Sequence, residues 1–206
     1  MKLIVVRHGQ TAFNLEERYL GALDPDLNAN GISQAQAIAP HLPAWPDVVI
    51  SSPLRRARQT ADIVCAALGV QAGIDPAFRE RHVGVYEGLT RQEAEARYPE
   101  LWARNVTRLW HEAPPGGESI SAVFHRVHAG LGRLLAQQGS ATVLLVAHGF
   151  VAKVLRALSG AGLADFHDWQ LKNGQSLVLQ IDTAAGLLSP AALDALDVQP
   201  PQPPSA

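Results

Sequence analysis

The sequence predicts an α/β fold: a three-layer α/β/α sandwich whose central, mostly parallel sheet carries helices on both faces. Three observations predict it. Leu3-Ile4-Val5-Val6 and Ala141-Thr142-Val143-Leu144-Leu145-Val146-Ala147 are unbroken apolar or nearly apolar runs rich in branched residues, the pattern of strands buried on both faces. Amphipathic helical patterns alternate with such short runs along the chain, as in a sheet covered by helices. Both runs also end alike, in His8-Gly9 and His148-Gly149. Ligands of open α/β sheets bind outside the carboxyl ends of the strands. Two neighbouring parallel strands ending in histidine would bring both imidazoles to one edge of the sheet.

Taken in order, the first strand is followed by a polar loop from Asn14 to Asn28 that holds Arg18, Gly21 and Asp24-Pro25, a plausible ligand wall. Asn28 caps a helix presenting Ile32, Ala35, Ile38, Ala39 and Leu42 at helical spacing. His41 ends that helix, and Pro43 and Pro46 enforce the break. Asp47-Val48-Val49-Ile50 is the second strand. Ser52 is the expected N-cap of the next helix, with Pro53 at its first position. Arg55, Arg56 and Arg58 in its opening turns oppose the helix dipole. That placement makes sense if an anion lies in front of the helix; a basic exposed face is the plainer alternative. The helix packs through Ala57, Ala61, Val64 and Leu68, ends at Gly69, and carries the lone Cys65 as a packed thiol.

A short strand and an irregular segment, Phe78 to Gly88, lead to Thr90, which with Glu93 forms a capping box. Tyr98-Pro99 interrupts this helix, and a second one is expected to run to about Trp110, with Trp102, Leu109 and Trp110 as core. After the Pro114-Pro115-Gly116-Gly117 loop, a long helix from Glu118 carries the stripe Ile120, Val123, Phe124, Val127, Leu131, Leu134 and Leu135. His125 and His128 border it as surface residues; a metal would need more ligands than this helix supplies. The strongest strand, 141–147, feeds a helix with Val151, Val154, Leu155 and Leu158, and Ser176 to Ile181 is the last strand. The domain expectation is one unit over 1–182 with a helical insertion at about 89–112, then an irregular Pro-rich tail over 183–206.

Composition narrows the classes. The 206 residues are 47% hydrophobic with a net charge of −2, enough for a real core but without a basic field for nucleic acid. One cysteine rules out an intramolecular disulfide. The N-terminal apolar run is far too short for a signal peptide, and no apolar stretch approaches spanning length. A cytoplasmic location is the expectation.

Four features converge: Arg7-His8, the arginine-bearing helix start after Ser52, the segment around Glu80, and His148. Two arginines and two histidines beside helix N-termini suit a dianionic, oxygen-rich group, above all phosphate. The nucleotide cradles G-x-x-x-x-G-K-[ST] and G-x-G-x-x-G are absent, as are G-x-S-x-G and H-E-x-x-H.

At these residues the sequence resembles the histidine phosphatase superfamily, also called phosphoglycerate mutase-like. The matching stretches are Arg7-His8-Gly9-Gln10-Thr11 with Asn14; Arg18 to Gly21, Asp24 and Leu27; Gly31 with Gln34-Ala35; Ser51 to Ala61; Arg79-Glu80; Tyr86 to Thr90; Gly116-Gly117-Glu118-Ser119; and Ala147-His148-Gly149. They run in order from residue 3 to about 181. The resemblance implies that His8 is the nucleophile, accepting the phosphoryl group as a phosphohistidine. It implies that Arg7, Arg56 and His148 hold the phosphate oxygens, with Asn14, Gly21 and Gly149 at the same phosphate site. Glu80 would be general acid for the leaving oxygen and then base for water. Arg79, Arg81 and His82 lie nearby without a secure role. No metal or other cofactor is expected, because arginines supply the positive charge, and they should keep His8 neutral.

Leu20 and Phe150 depart from the family pattern, which more often has Gln and a small residue there; both should shape the pocket. The segment after Tyr86-Glu87-Gly88-Leu89-Thr90-Arg91 looks too short for the insertion of cofactor-dependent mutases. The reading is therefore a metal-independent phosphomonoester hydrolase acting on a small phosphorylated metabolite. A 2,3-bisphosphoglycerate-dependent phosphoglycerate mutase is the alternative. A catalytically weak phospho-ligand binding module and a metal hydrolase resting on the eight histidines are further behind. The expected partner is a small phosphorylated substrate, with a homodimer as the oligomer to test and neither nucleic acid nor membrane.

Overall fold

Leu3, Ile4, Val5 and Val6 are completely buried, so both faces of strand β1 (Lys2–Arg7) are covered. Period-two alternation sends Leu3 and Val5 into one core and Ile4 and Val6 into the other. The same holds for β4 (Thr142–Ala147), where Val143, Leu145 and Ala147 face one way and Leu144 and Val146 the other. These two strands are the parallel centre of a five-stranded sheet of order β3-β2-β4-β1-β5. Strands β2 (Val48–Ser51) and β3 (Ala72–Ile74) extend it in parallel. Strand β5 (Ser176–Gln180) closes the other side antiparallel to β1. A computed structural model describes residues 1–181 together with 192, 193, 195 and 196. The Pro-rich tail expected over 183–206 lies largely outside the described residues.

Helices cover both faces. Helices α2 (Ala29–Ile38) and α3 (Arg55–Leu68) follow a short helix α1 (Ala12–Leu15) and pack on the Ile4–Val6 face. Two small insertion helices, α4 (Arg91–Arg97) and α5 (Pro99–Ala103), build a satellite cluster around Tyr86, Ala94 and Val106. Helices α6 (Ile120–Gln138) and α7 (Gly149–Arg156) cover the other face. The three-layer α/β/α sandwich expected from the sequence is the fold.

Several boundaries differ from expectation for identifiable reasons. Helix α3 starts at Arg55 with Leu54 as its cap residue, not at Ser52-Pro53. The Ser52 hydroxyl accepts the Leu54 N–H at 3.3 Å and pairs with His148. Ile32 is 43% exposed, and α2 buries Gly31, Ala35 and Ile38 instead. Small residues let α2 approach its neighbours closely, and Ile32 falls outside that face. The second insertion helix stops at Ala103, because Asn105 adopts a left-handed conformation (φ 53°) ahead of the 3₁₀ turn Val106–Arg108. The long helix begins at Ile120, not Glu118, with the Ser119 hydroxyl accepting the Ala122 N–H at 3.1 Å. Trp110 is core, whereas Trp102 lies half-buried beneath the Arg91 guanidinium.

Candidate active site

The register pairs Arg7 with Ala147, so β1 and β4 end level with each other. The next residue on each strand is a histidine, and the rings of His8 and His148 stand 5.1 Å apart. Both are buried, His148 completely. The turn after His8 is pinned from below. A Cβ on Gly9 would lie 2.3 Å from the Gly31 carbonyl oxygen, so two backbones touch where only glycine fits. The Gly9 N–H donates to Thr60 Oγ1 at 3.0 Å, tying the turn to α3.

His8 Nδ1 is 2.7 Å from the Gly9 carbonyl oxygen. A carbonyl only accepts, so Nδ1 carries the ring proton and Nε2 keeps its lone pair. Arg56 Nε–H donates toward that lone pair at 3.2 Å. Burial pushes the His8 pKa well below its ordinary value, and Arg56 and Arg7 push it further. The imidazole is therefore neutral around pH 7, with a nucleophilic nitrogen facing the site.

His148 Nε2 lies 2.7 Å from Ser52 Oγ. We assign the Ser52 hydroxyl proton to Nε2, with its oxygen accepting from Leu54, which puts the ring proton of His148 on Nδ1. That nitrogen is buried without a protein partner. Burial, then Arg56, His8 and Arg7, hold the His148 pKa well below its ordinary value. A neutral ring thus offers one N–H donor beside the His8 nucleophile.

Arg56 is fully buried, and its guanidinium donates to the carbonyls of Leu23 at 2.6 Å and Gly21 at 3.0 Å. Burial lowers its pKa to about 10, with Glu80 and Asp24 opposing, which leaves it charged at neutral pH. Gly21 has φ +52°, and a Cβ there would collide with Glu87 Oε1. Its part in the geometry is to present a carbonyl to Arg56. Arg7 Nη1 donates to the Leu171 carbonyl at 2.7 Å, while its Nε is buried without a protein partner. Gly149 opens α7 beside the Arg7 guanidinium, where a Cβ would approach to 3.4 Å. Buried donors are ordinarily paired; Arg7 Nε and His148 Nδ1 are buried without a protein partner, which leaves both free for an oxyanion.

Asn14 Oδ1 accepts from the Thr11 N–H and hydroxyl and from Asn173 Nδ2, leaving its own amide donors for a ligand. Glu80 Oε1 accepts the Arg81 N–H at 2.9 Å and Oε2 the Phe150 N–H at 3.3 Å. The irregular segment carrying Glu80 is clamped by Arg126. This guanidinium donates to the carbonyls of Ala77, Arg79 and Glu80 and to the Glu118 carboxylate. Burial would raise the Glu118 carboxyl, but Arg126 and the His82 N–H bring it below its ordinary range.

Arg7, His8, Asn14, Gly21, Arg56 and Glu80 line one cavity of about 300 Å³. His148 and Gly149 stand directly behind His8 and Arg7. Leu20 and Phe150 also line it, as expected from their departure from the family pattern. Arg81 lines it too, but Arg79 turns to Glu118, and His82 accepts the Gly84 N–H and faces Glu87. Sequence reasoning missed Asn173, whose amide donates to the His8 carbonyl at 3.0 Å, and the wall residues Tyr19, Thr107, Arg108 and Lys153. The Asn173-Gly174 turn signal was the only local hint of the first. Among the described residues no group of three His, Cys, Asp or Glu converges as a metal set. No helix among them is long and apolar enough to cross a membrane.

Two neutral imidazoles, two guanidiniums and one carboxylate gathered at one cavity make a site suited to an oxygen-rich anion such as a phosphoryl group. The chain belongs to the histidine phosphatase superfamily (branch 1), whose sequence profile matches residues 3–189. Phosphoserine phosphatase 1 of Hydrogenobacter thermophilus is 32% identical over 184 residues, 88% of this chain and 87% of that protein. A 2,3-bisphosphoglycerate-dependent phosphoglycerate mutase of Methylobacterium radiotolerans is 32% identical over 204 residues, 93% of this chain and 95% of that one. The structure of mycobacterial glucosyl-3-phosphoglycerate phosphatase complexed with VO3 superposes with a TM-score of 0.79 at 31% identity, covering 87% and 90% of the two chains. A bifunctional protein of Mycobacterium tuberculosis is 38% identical over 163 residues, 77% of this chain, and this chain spans 44% of its length.

Proposed function

We propose that this protein hydrolyses a small phosphomonoester, without a metal, through a phosphohistidine on His8. The observation that carries the reading is the fixed His8 tautomer: Nδ1 is committed to the Gly9 carbonyl, and Nε2 faces the arginine-lined cavity. In the first step Nε2 attacks phosphorus and the bond from phosphorus to the ester oxygen breaks. Glu80 delivers a proton to the leaving oxygen, and the alcohol departs. Arg7, Arg56, Asn14 and the His148 Nδ1–H hold the three equatorial oxygens, supplying the charge stabilisation that phosphoryl transfer depends on. In the second step Glu80 takes a proton from water, the water oxygen attacks phosphorus, and the bond from phosphorus to Nε2 breaks to release inorganic phosphate.

The match to a phosphoglycerate mutase over nearly the whole chain supports one competing reading, in which the phosphoenzyme returns its group to a bound product. An acid-quench assay with a labelled phosphomonoester separates the two. Acid-labile, base-stable label on the wild type, absent in His8→Ala and released as inorganic phosphate, is the expected result. Label that passes to phosphoglycerate instead of water makes the protein a mutase. No label from a broad panel sinks both and leaves a binding module.

A further inference from the structure

Leu20, Gly21 and Val83 line the cavity, and one side chain that does not line it holds all three in place. Glu87 Oε1 accepts the Ala22 N–H at 2.7 Å and the Val83 N–H at 3.2 Å. The Glu87 side chain is only 11% exposed, and among the described residues no arginine or lysine is ion-paired with it. Its ionisable neighbour is His82, with Nδ1 at 3.4 Å, and that nitrogen already accepts the Gly84 N–H at 2.9 Å. Desolvating a carboxylate is expensive. Here the cost is offset by backbone N–H groups from two chain segments about sixty residues apart, which the carboxylate thereby joins.

What Glu87 holds is the tip of a turn. The Leu23 N–H donates to the Leu20 carbonyl at 3.0 Å, which puts Gly21 and Ala22 at the centre of that turn. The carboxylate occupies the space that a side chain on Gly21 would need. The carbonyls of Gly21 and Leu23 are the acceptors of Arg56 Nη2 and Nη1. Farther along, the loop has anchors of its own on α3: Asp24 Oδ1 accepts the Arg55 N–H at 2.6 Å, and Asp26 Oδ1 accepts the Gln59 amide at 2.6 Å. The Gly21 end is held by Glu87. A guanidinium carries its donors in one rigid plane. The place of the Gly21 carbonyl therefore sets the plane of Arg56 and the direction of its Nε–H toward His8 Nε2.

We infer that Glu87 is a positioning residue for phosphoryl binding: by holding the Gly21-Ala22 backbone it fixes the carbonyl that aims the Arg56 guanidinium. This rests on the reading of Arg56 as a phosphoryl ligand. Positioning needs an acceptor oxygen at Oε1. An effect of Glu87 on Arg56 through space would need the negative charge instead, so the two are separable by substitution.

The test measures vanadate affinity by calorimetry, p-nitrophenyl phosphate kinetics and urea midpoints for the full chain. The variants are Glu87→Met, which fills similar volume without an acceptor, Glu87→Ala as a smaller truncation, Glu87→Gln, Arg56→Lys, and Glu87→Met combined with Arg56→Lys. Glu87→Met should weaken vanadate binding and lower kcat by about tenfold each, with KM within about threefold of wild type. Glu87→Gln keeps the acceptor and should hold both within about threefold of wild type. Where Arg56→Lys has already removed the fork, adding Glu87→Met should change vanadate affinity by less than about twofold. Glu87→Gln as impaired as Glu87→Met would assign the effect to charge and overturn the inference. Losses that add in full to those of Arg56→Lys overturn it as well. So does a lowered urea midpoint with vanadate affinity unchanged in both truncations, which makes Glu87 merely structural. Vanadate affinity unchanged in Arg56→Lys would instead overturn the reading of Arg56, and the inference with it.

Discussion

The Nε–H of Arg56 points at Nε2 of His8 across 3.2 Å, while the other two nitrogens of the same guanidinium hold the carbonyls of Leu23 and Gly21. One buried side chain therefore marks the direction of the nucleophilic lone pair and ties the ligand-wall loop to α3. Arg56→Lys keeps a charge but loses this fork. We expect it to lower kcat by about a hundredfold or more, with circular dichroism close to the wild type. Steady-state kinetics within a few-fold of wild type would remove Arg56 from the phosphoryl site.

His8 and His148 are buried in their neutral forms, and both pKa values are well below the ordinary 6.5. In the unfolded chain they take up protons near that ordinary value. The unfolded state thus binds more protons below it, and stability falls as the pH drops. Each histidine contributes up to about 1.4 kcal/mol per pH unit in that window. Urea unfolding at pH 5 and pH 7 should show this loss, and His8→Asn should be measurably less sensitive. Equal slopes for the two proteins would contradict buried neutral histidine at position 8.

Ser52 is a positioning residue for His148. Its hydroxyl, 2.7 Å from Nε2, would fix, in the assigned tautomer, Nδ1 as the nitrogen that offers a proton to the phosphoryl group in the proposed reaction. Ser52→Ala should lose about 1 kcal/mol of transition-state stabilisation, roughly fivefold in kcat. The effect should grow in vanadate affinity relative to substrate KM, because a transition-state mimic reads the donor more strongly. Ser52→Thr should restore most of both. Vanadate binding equal in Ser52→Ala and wild type would show that the hydroxyl is merely packed.

Arg126 lines no part of the cavity, yet it holds three carbonyls of the Glu80 segment and the Glu118 carboxylate. Arg126→Met strips Glu118 of its two-point partner in a mostly buried place and leaves it only Arg79 and the His82 N–H, at a cost of about 2 kcal/mol in unfolding free energy. It should also slow the first chemical step, since Glu80 loses its anchor. Rapid-quench measurement of phosphoenzyme formation checks this. An unchanged formation rate at lowered stability would confine Arg126 to a structural role.

The placing of Arg7, His8, Arg56 and His148 together was legible in the sequence because these residues follow strand ends and helix starts directly. Arg7-His8-Gly9 and Ala147-His148-Gly149 are contiguous with runs whose burial is dictated by composition, so locating the strands located the histidines. The parallel, both-faces-buried character of β1 and β4 follows from the same runs. Capping at Thr90 and Asn28 was equally local. Long-range pairing decided the rest. Only the antiparallel docking of β5 on β1 brings Asn173 and Leu171 under His8 and Arg7. Ser52 reads locally as a helix cap; the parallel register of β2 and β4 turns it toward His148 instead. Arg108 and Lys153 lie 45 residues apart, on elements with no shared motif, yet line the same cavity. By itself the sequence determined which strands are central and which side chains stand at their ends, since hydrophobic period and turn residues act over a few positions. Tertiary structure alone decided which distant charges share the cavity, because that depends on strand order and loop packing that no local pattern encodes.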